Sequence, residues 1–219
     1  NCFSMEQKTN NLSALITLVT VFFFWGFIAA SNGVFIPFCK DYFNLTQFQS
    51  QLIDSAFYGA YYIGALFLFL YSSIKQTDII NSWGYKKTII NGLIISTGGS
   101  LLMIPAINSG SFNLILFSFF IIAIGFCLQQ TSANPFTISL GPPETGSHRL
   151  NLAGGINSLG TTIGPIVLSL ILFGGILNNN AEIKNINILY LFVSILFLVL
   201  ALFLKQAKQL PNIKKNSSV

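Results

Sequence analysis

Six apolar stretches, separated by short polar links, constrain what this chain can fold into. They cover about 12–38, 50–74, 88–107, 112–138, 150–177 and 186–204, close to the roughly 20 residues with which an α-helix crosses a bilayer. Only 8% of the 219 residues are charged, whereas a soluble domain carries about 25%, too few here to cover a surface in water. The sequence therefore predicts an all-α, polytopic membrane protein, with residues 12–204 forming one bundle of six transmembrane helices.

The basic residues predict the orientation of this bundle, because cytoplasmic loops carry an excess of Lys and Arg. The N-terminal segment, two links and the tail hold Lys8, Lys75, Lys86, Lys87, Arg149, Lys205, Lys208, Lys214 and Lys215, against Lys40 and Lys184 on the opposite side. Both termini are then cytoplasmic: residues 1–11 as a short segment, and 205–219 as a basic tail or the start of a central loop. We expect Met5 to be the native start and leave residues 1–4 out of fold prediction.

Several function classes are not expected from this sequence. The chain has no long soluble segment and no phosphate-binding loop, nucleophile elbow or HExxH motif, which argues against an enzyme and against a bound cofactor. The net charge of +5 comes from cations beside the membrane spans, so it does not indicate a nucleic-acid partner. His148 has no second His and no Cys or Asp at ligand spacing, and a metal site is not expected.

A polar run from Cys127 to Pro165 lies between the apolar spans and needs an explanation. Amides both donate and accept hydrogen bonds, which suits a polyhydroxylated neutral ligand, although the same groups also join neighbouring helices. Gln130 and Asn134 are four residues apart and share a helix face, whereas Gln129 points about 100° away from Gln130. We therefore favour Gln130 and Asn134 as cavity-lining residues, together with Asn157 near the middle of span 5.

Other polar or aromatic residues are candidates for transport chemistry. Asp54 is the acid within a span, and an intramembrane carboxylate usually faces a cavity or a partner. It is either a proton or cation coupling site, an acceptor for a sugar hydroxyl, or a hydrated group near the outer interface. Trp25, at the polar end of span 1, is the best aromatic candidate for stacking on a sugar ring. Arg149 is either a snorkelling anchor or a gate residue that pairs with Glu144 or a backbone carbonyl.

Spans 1–3 and 4–6 could form two groups of three helices with inverted topology. Span 1 carries Gly26-Phe27 ahead of Asn32, and span 4 carries Gly125-Phe126 ahead of Asn134. The spacings differ between the two spans, so the symmetry is indicated rather than established by sequence. Gly160 and Gly164 of span 5 also predict a close helix–helix crossing.

The blocks QTSANPF at 130–136, LGPPET at 140–145, RLNLA at 149–153 and NSLGTT at 157–162 resemble a sugar permease. Specifically, the chain resembles the N-terminal six-helix half of a major facilitator superfamily member of the fucose–galactose–glucose permease family. The resemblance implies proton- or cation-driven uptake of a neutral monosaccharide by alternating access in a bacterial inner membrane, together with a second six-helix half. By position it implies that five residues line the sugar cavity: Trp25, Asn32, Gln130, Asn134 and Asn157. It also places Lys86 and Lys87 at an inner gate.

The sequence departs from the family pattern where an acid or amide would be expected. Gly33 stands in place of an Asp, Gln130 in place of the Glu of proton-coupled fucose permeases, Gly154 in place of a Gln, and Asn81 in place of a loop Asp. These departures argue against assuming fucose specificity or the usual proton site, and we hypothesise that Asp54 substitutes as the coupling acid. The alternatives are a carrier of another small solute, or a truncated membrane fragment that transports nothing.

Overall fold

A computed structural model describes residues 2–173 and 183–213 of the chain. Seven α-helices and one 3₁₀ turn, Pro143–Thr145, occupy these ranges; the α-helices are α1 Cys2–Tyr42, α2 Gln47–Lys75, α3 Ile79–Trp83, α4 Tyr85–Asn108, α5 Phe112–Ser139, α6 Gly146–Phe173 and α7 Ile183–Gln206. No strand occurs in those two ranges, and six of the helices are long and apolar enough to cross a membrane. The prediction of an all-α, six-span protein is confirmed, while the predicted end of span 5 at residue 177 lies outside the described residues.

The helices pack in an arrangement consistent with two related sets of three. The closest pairs are α4 with α5 and α1 with α6, followed by α4 with α7 and α2 with α5. If α1, α2 and α4 are matched in order with α5, α6 and α7, the α1–α6 pair becomes the α5–α2 pair. The correspondence is incomplete, because α4 packs closely on α5 whereas α7 touches α1 only marginally.

Aromatic rings fill the centre of the bundle around Phe126 of α5. Its ring centroid lies 6.4 Å from that of Trp25, 5.7 Å from that of Phe57 and 5.8 Å from that of Phe197. These neighbours come from α1, α2 and α7, so one side chain connects four helices. Between apolar helices in lipid, such van der Waals packing provides much of the attraction that the hydrophobic effect provides in water.

Capping residues and one glycine define the ends of α2, α3 and α4. Thr46 and Gln49 form a capping box at the start of α2, with the Gln49 amide N donating to Thr46 Oγ1 at 3.2 Å. Asp78 caps the short α3, its Oδ1 accepting from the amide of Ile80 at 2.9 Å. Gly84 then turns the chain into α4 with a φ of +83°, a conformation that favours glycine.

Helix α5 continues through Pro135 to Ser139. A proline inside a helix removes one backbone donor, and from the sequence it could mark either a broken helix at a binding site or a bend near the helix end. Since the helix is continuous on both sides of Pro135 and ends within four residues, the structure agrees with the second interpretation.

Candidate functional site

The polar side chains of α5 lie on different sides of the helix. Gln130 is exposed and Asn134 is partly exposed, so the face that these two residues share is open in the six-helix bundle. Gln129 is fully buried, with 0% of its surface exposed. The rotation of about 100° between successive helical residues thus separates one glutamine that bonds inside the bundle from one that is available to a ligand.

Gln129 joins three helices through hydrogen bonds. Trp25 Nε1 of α1 donates to Gln129 Oε1 at 3.0 Å, and Gln129 Nε2 donates to Ser96 Oγ of α4 at 3.2 Å. Ser96 Oγ donates in turn to the carbonyl of Ile122, also at 3.2 Å. Trp25 is only 5% exposed, so in this conformation its indole packs inside the bundle instead of lying on the open face.

Asn157 lies where α6 crosses α1. Its Nδ2 donates to the carbonyl of Phe22 at 2.9 Å, and the side chain is partly exposed. The helices approach so closely here that a Cβ on Gly26 would collide with the Asn157 carbonyl. Further along α6, a Cβ on Gly160 or Gly164 would likewise collide with backbone carbonyls of α1. The close crossing predicted from these two glycines is confirmed.

Asn32 lines a cavity of about 40 Å³ inside the bundle. The lining comes from all six long helices and is otherwise almost wholly apolar; it comprises Phe27, Ile28, Asn32, Phe35, Phe57, Ser100, Phe119, Ile122, Leu168, Ile171, Leu189, Tyr190, Phe192, Val193 and Phe197. Trp25, Gln130, Asn134 and Asn157 do not line it. The structure therefore does not bring Asn32 into one cavity with the other four predicted sugar-binding residues.

Asp54 lies in the second turn of α2 and is exposed. Tyr58 and Tyr62 follow at intervals of four residues, 70% and 66% exposed, so a carboxylate and two phenols share one helix face. This face is open in the six-helix bundle. The placement is compatible with a coupling acid, with a sugar-hydroxyl acceptor and with hydration near a membrane interface.

The chain that follows α7 packs against the Lys-rich end of the bundle, where α4 begins beside Lys86 and Lys87. Lys86 Nζ donates to the carbonyl of Ala207 at 2.7 Å, and the amide of Tyr85 donates to the carbonyl of Ile213 at 3.0 Å. Asn212 Nδ2 donates to the carbonyl of Trp83 at 2.9 Å, and Asn212 Oδ1 accepts from the amide of Lys87 at 3.3 Å. Of the two proposed gate lysines, Lys86 therefore binds the segment after α7 through its side chain, whereas Lys87 contributes only its backbone amide.

Arg149 binds the end of α5. Its Nε donates to the Thr137 carbonyl at 3.0 Å and its Nη2 to the Pro142 carbonyl at 3.0 Å and to the Ile138 carbonyl. Nη1 donates to Thr145 Oγ1 at 2.7 Å. Glu144, one residue before Thr145 in the 3₁₀ turn, is exposed. The sequence offered Glu144 or a backbone carbonyl as the partner of Arg149, and the structure shows backbone carbonyls.

Three contributors to this arrangement were not identified from sequence. The sequence favours Gln130 over Gln129 as a cavity-lining residue, Ser96 lies in an ordinary apolar span, and Asn212 belongs to the tail. A signal existed only for Gln129, since an amide in an apolar span commonly joins helices. Ser96 and Asn212 carry no local signal, because their partners are more than 25 residues away in sequence.

In the described part of the chain, six apolar helices with polar groups inside the bundle and on the open faces of α2, α5 and α6 define a multi-pass α-helical membrane protein. A model of the Major Facilitator Superfamily matches residues 15–218, and the chain belongs to that family. It is 35% identical over 213 residues to a glucose/galactose transporter of Brucella abortus (strain 9-941), a match that covers 96% of this chain and 50% of that protein. It is also 35% identical over 160 residues to the L-fucose-proton symporter of Escherichia coli K12, covering 73% of this chain and 35% of that one.

The fold is also similar to a solved structure. The crystal structure of the Major Facilitator Superfamily transporter FucP in the outward conformation matches with a TM-score of 0.75 and 28% sequence identity, covering 96% of this chain and 53% of that one. These comparisons confirm the resemblance stated from the sequence. The chain spans about half the length of the curated glucose/galactose transporters that it matches.

Proposed function

We propose that this chain is one half of a secondary active transporter that takes up a neutral monosaccharide such as glucose, galactose or fucose. The observation that carries the proposal is the open face of α5, where Gln130 is exposed and Asn134 partly exposed on a mostly apolar helix. Amides can donate to and accept from sugar hydroxyls, and unpaired amides facing lipid are costly. The names of relatives at 35% identity support a sugar substrate and do not favour a fragment without transport function.

The proposed transporter is driven by a proton or cation gradient, with Asp54 as the coupling acid. An exposed carboxylate within a membrane helix supports this role, as does the name of the L-fucose-proton symporter. In the proposed cycle the protein alternates between outward- and inward-open states. We place it in a bacterial inner membrane with both termini cytoplasmic, because nine of its eleven Lys and Arg residues then lie on the cytoplasmic side.

A second six-helix half is proposed as the partner that closes the sugar site. The exposed face of α6 supports this, since it carries small and polar groups that lipid would not favour: Asn151, Gly154, Ser158, Thr161 and Thr162. Trp25, Asn32 and Asn157 remain proposed contributors to the site. Trp25 is buried and bonded to Gln129, so its proposed contact with sugar requires a conformation different from this one, whereas Asn157 bonds α1 through Nδ2 and is partly exposed.

The test is sugar uptake by cells without their own glucose, galactose and fucose transporters. The chain is expressed together with the half of the Brucella abortus relative that it does not cover, and Gln130→Leu and Asn134→Leu are compared with the unchanged chain. We expect accumulation with the unchanged chain and at least a tenfold loss in both variants at equal membrane abundance. Uptake of an amino sugar or polyol instead would favour a carrier of another small solute. Sugar uptake at the unchanged level in both variants would contradict the assignment of Gln130 and Asn134 on the α5 face to sugar binding.

A further inference from the structure

The buried hydrogen-bond chain Trp25–Gln129–Ser96 lies inside the bundle, on a different side of α5 from Gln130 and Asn134. Its members are 5%, 0% and 0% exposed and come from α1, α5 and α4. Both ends of the Gln129 amide are used, with the oxygen accepting from Trp25 and the nitrogen donating to Ser96. Since an amide buried without partners is costly, these two hydrogen bonds stabilise one orientation of the Gln129 side chain over others.

The backbone around Gln129 is held as tightly as its side chain. A Cβ on Gly92 of α4 would lie 2.8 Å from Gln129 Cγ and 3.2 Å from its backbone nitrogen. A Cβ on Gly125, one turn earlier on α5, would collide with Ser96 Oγ. Helix α4 thus touches α5 at the level of the hydrogen-bond chain, and α5 cannot rotate there without losing these contacts.

Fixing Gln129 also fixes its neighbour. Successive residues on an α-helix point about 100° apart, so an inward Gln129 directs Gln130 outward. Asn134, four residues further on, keeps the same side as Gln130. The rotational setting of α5 about its own axis therefore decides whether the two proposed sugar ligands reach the open face.

The same level of the bundle also holds α1 against α6. Asn157 Nδ2 donates to the carbonyl of Phe22, one turn before Trp25. Between Phe22 and Gly26, helix α1 is thus bonded to α5 through Trp25 and to α6 through Asn157. Both α5 and α6 carry proposed site residues, and both are hydrogen-bonded to this short part of α1.

We propose that Gln129 is a positioning residue for sugar binding: through Trp25 and Ser96 it sets the rotation of α5 that presents Gln130 and Asn134. This inference rests on the proposed sugar-binding function. Gln129 itself does not touch the sugar. Replacing a residue that only stabilises the fold lowers the folded fraction. Replacing Gln129 instead weakens sugar binding by the protein that remains folded.

The experiment records Trp25 emission on the full chain in detergent with Trp83→Phe, which leaves Trp25 as the single tryptophan. Sugar affinity is measured below the melting temperature by equilibrium binding of labelled glucose, galactose and fucose to the same chain assembled with its proposed partner half. Gln129→Met keeps the length of the side chain without its hydrogen bonds. We expect it to shift Trp25 emission and to weaken sugar affinity of the folded protein about tenfold. Gln129→Glu, neutral when buried, keeps an acceptor and a donor, so its sugar affinity should stay within about threefold of that of the unchanged protein.

Gln130→Met is the matched control, expected to abolish sugar binding while leaving Trp25 emission unchanged. Ser96→Ala removes only the second bond of the chain and provides the test if Gln129→Met does not fold; we expect it to weaken affinity several-fold. Affinity equal to the parent protein in folded Gln129→Met, or in Ser96→Ala if that variant is needed, would overturn the positioning role. Absence of sugar binding by the unchanged chain assembled with its partner half would instead overturn the proposed function, whereas the emission shift would still report the Trp25–Gln129 bond.

Discussion

The Arg149 side chain completes the hydrogen bonding of a helix to which it does not belong. The last carbonyls of an α-helix lack intrahelical partners, and this end carries the negative pole of the helix dipole. Arg149, at the start of α6, donates to the carbonyls of Thr137 and Ile138 at the end of α5. Its planar guanidinium reaches the Pro142 carbonyl and Thr145 at the same time, which an ammonium group cannot do.

Replacing Arg149 tests whether these bonds hold α5 to α6. We expect Arg149→Met to cost about 2 kcal/mol and to lower the melting temperature in detergent by several degrees, because carbonyls bonded to a charged donor lose their partner. Arg149→Lys should recover only part of this loss. Glu144→Gln is the control, since its exposed carboxylate does not contribute to these bonds. A melting temperature that falls as far in Glu144→Gln as in Arg149→Met would contradict the carbonyl assignment.

At single residues, the sequence predicts which way a side chain points better than it predicts which residue that side chain bonds. The divergence of Gln129 and Gln130 follows from helical geometry alone, and the structure buries one and exposes the other. The partner of Gln129 could not be predicted, because Trp25 lies 104 positions away and only the packing of α1 on α5 brings the two together. For the same reason the sequence places Trp25 in the lining of a sugar cavity, whereas in this conformation its indole is buried and bonded to Gln129.

At the scale of helices, α1 and α6 form a crossing that only glycine permits. Carbonyls of Phe23 and Phe27 occupy the space that side chains at positions 160 and 164 would fill. Small residues at this spacing let two membrane helices approach until their backbones touch, which strengthens van der Waals packing. The crossing also brings Asn157 within reach of the Phe22 carbonyl.

A pair of glycine variants on α6 tests this crossing. Gly160→Ala should destabilise the bundle by about 2 kcal/mol, because its methyl group collides with the Phe23 carbonyl and α1 must move away. Gly154→Ala is the matched control on the same helix. No atom lies within 4 Å of its added carbon, so we expect no loss and a small gain from helix propensity. Thermal unfolding of both variants decides the question: equal melting temperatures would show that the crossing tolerates a side chain.

Six long helices were predictable because an apolar run of about 20 residues has few alternatives in a membrane protein. The short helix α3 and the packing of the tail were not predicted. Asp78 followed by Ile79-Ile80 resembles an ordinary polar link, and the bonds of Asn212 to Trp83 and Lys87 join segments more than 120 residues apart. The capping box at Thr46 and Gln49 was visible in sequence and would have placed the start of α2 three residues earlier.

For the whole molecule, the exposed faces of α2 and α6 bear more directly on the proposed transport than the buried core does. Asp54, Tyr58 and Tyr62 line one such face, and the polar groups of α6 line another. The chain covers about half of the curated glucose/galactose transporters. A sugar site that opens alternately to two sides needs a second surface across from the first, so the proposed activity belongs to the chain together with its partner half.

Asp54→Asn tests the proposed energy source of that assembly. An amide mimics the protonated carboxyl but cannot release a proton, so we expect loss of sugar accumulation driven by a pH gradient while exchange of sugar between equal concentrations continues. Accumulation and exchange are measured in vesicles that contain the chain and its partner half. Asp41→Asn is the matched control, because Asp41 is exposed near the end of α1 and leads into α2 through a short loop. If Asp54→Asn accumulated sugar as well as Asp41→Asn, the carboxylate of Asp54 would be hydrated at the interface and the coupling group would lie elsewhere in the assembly.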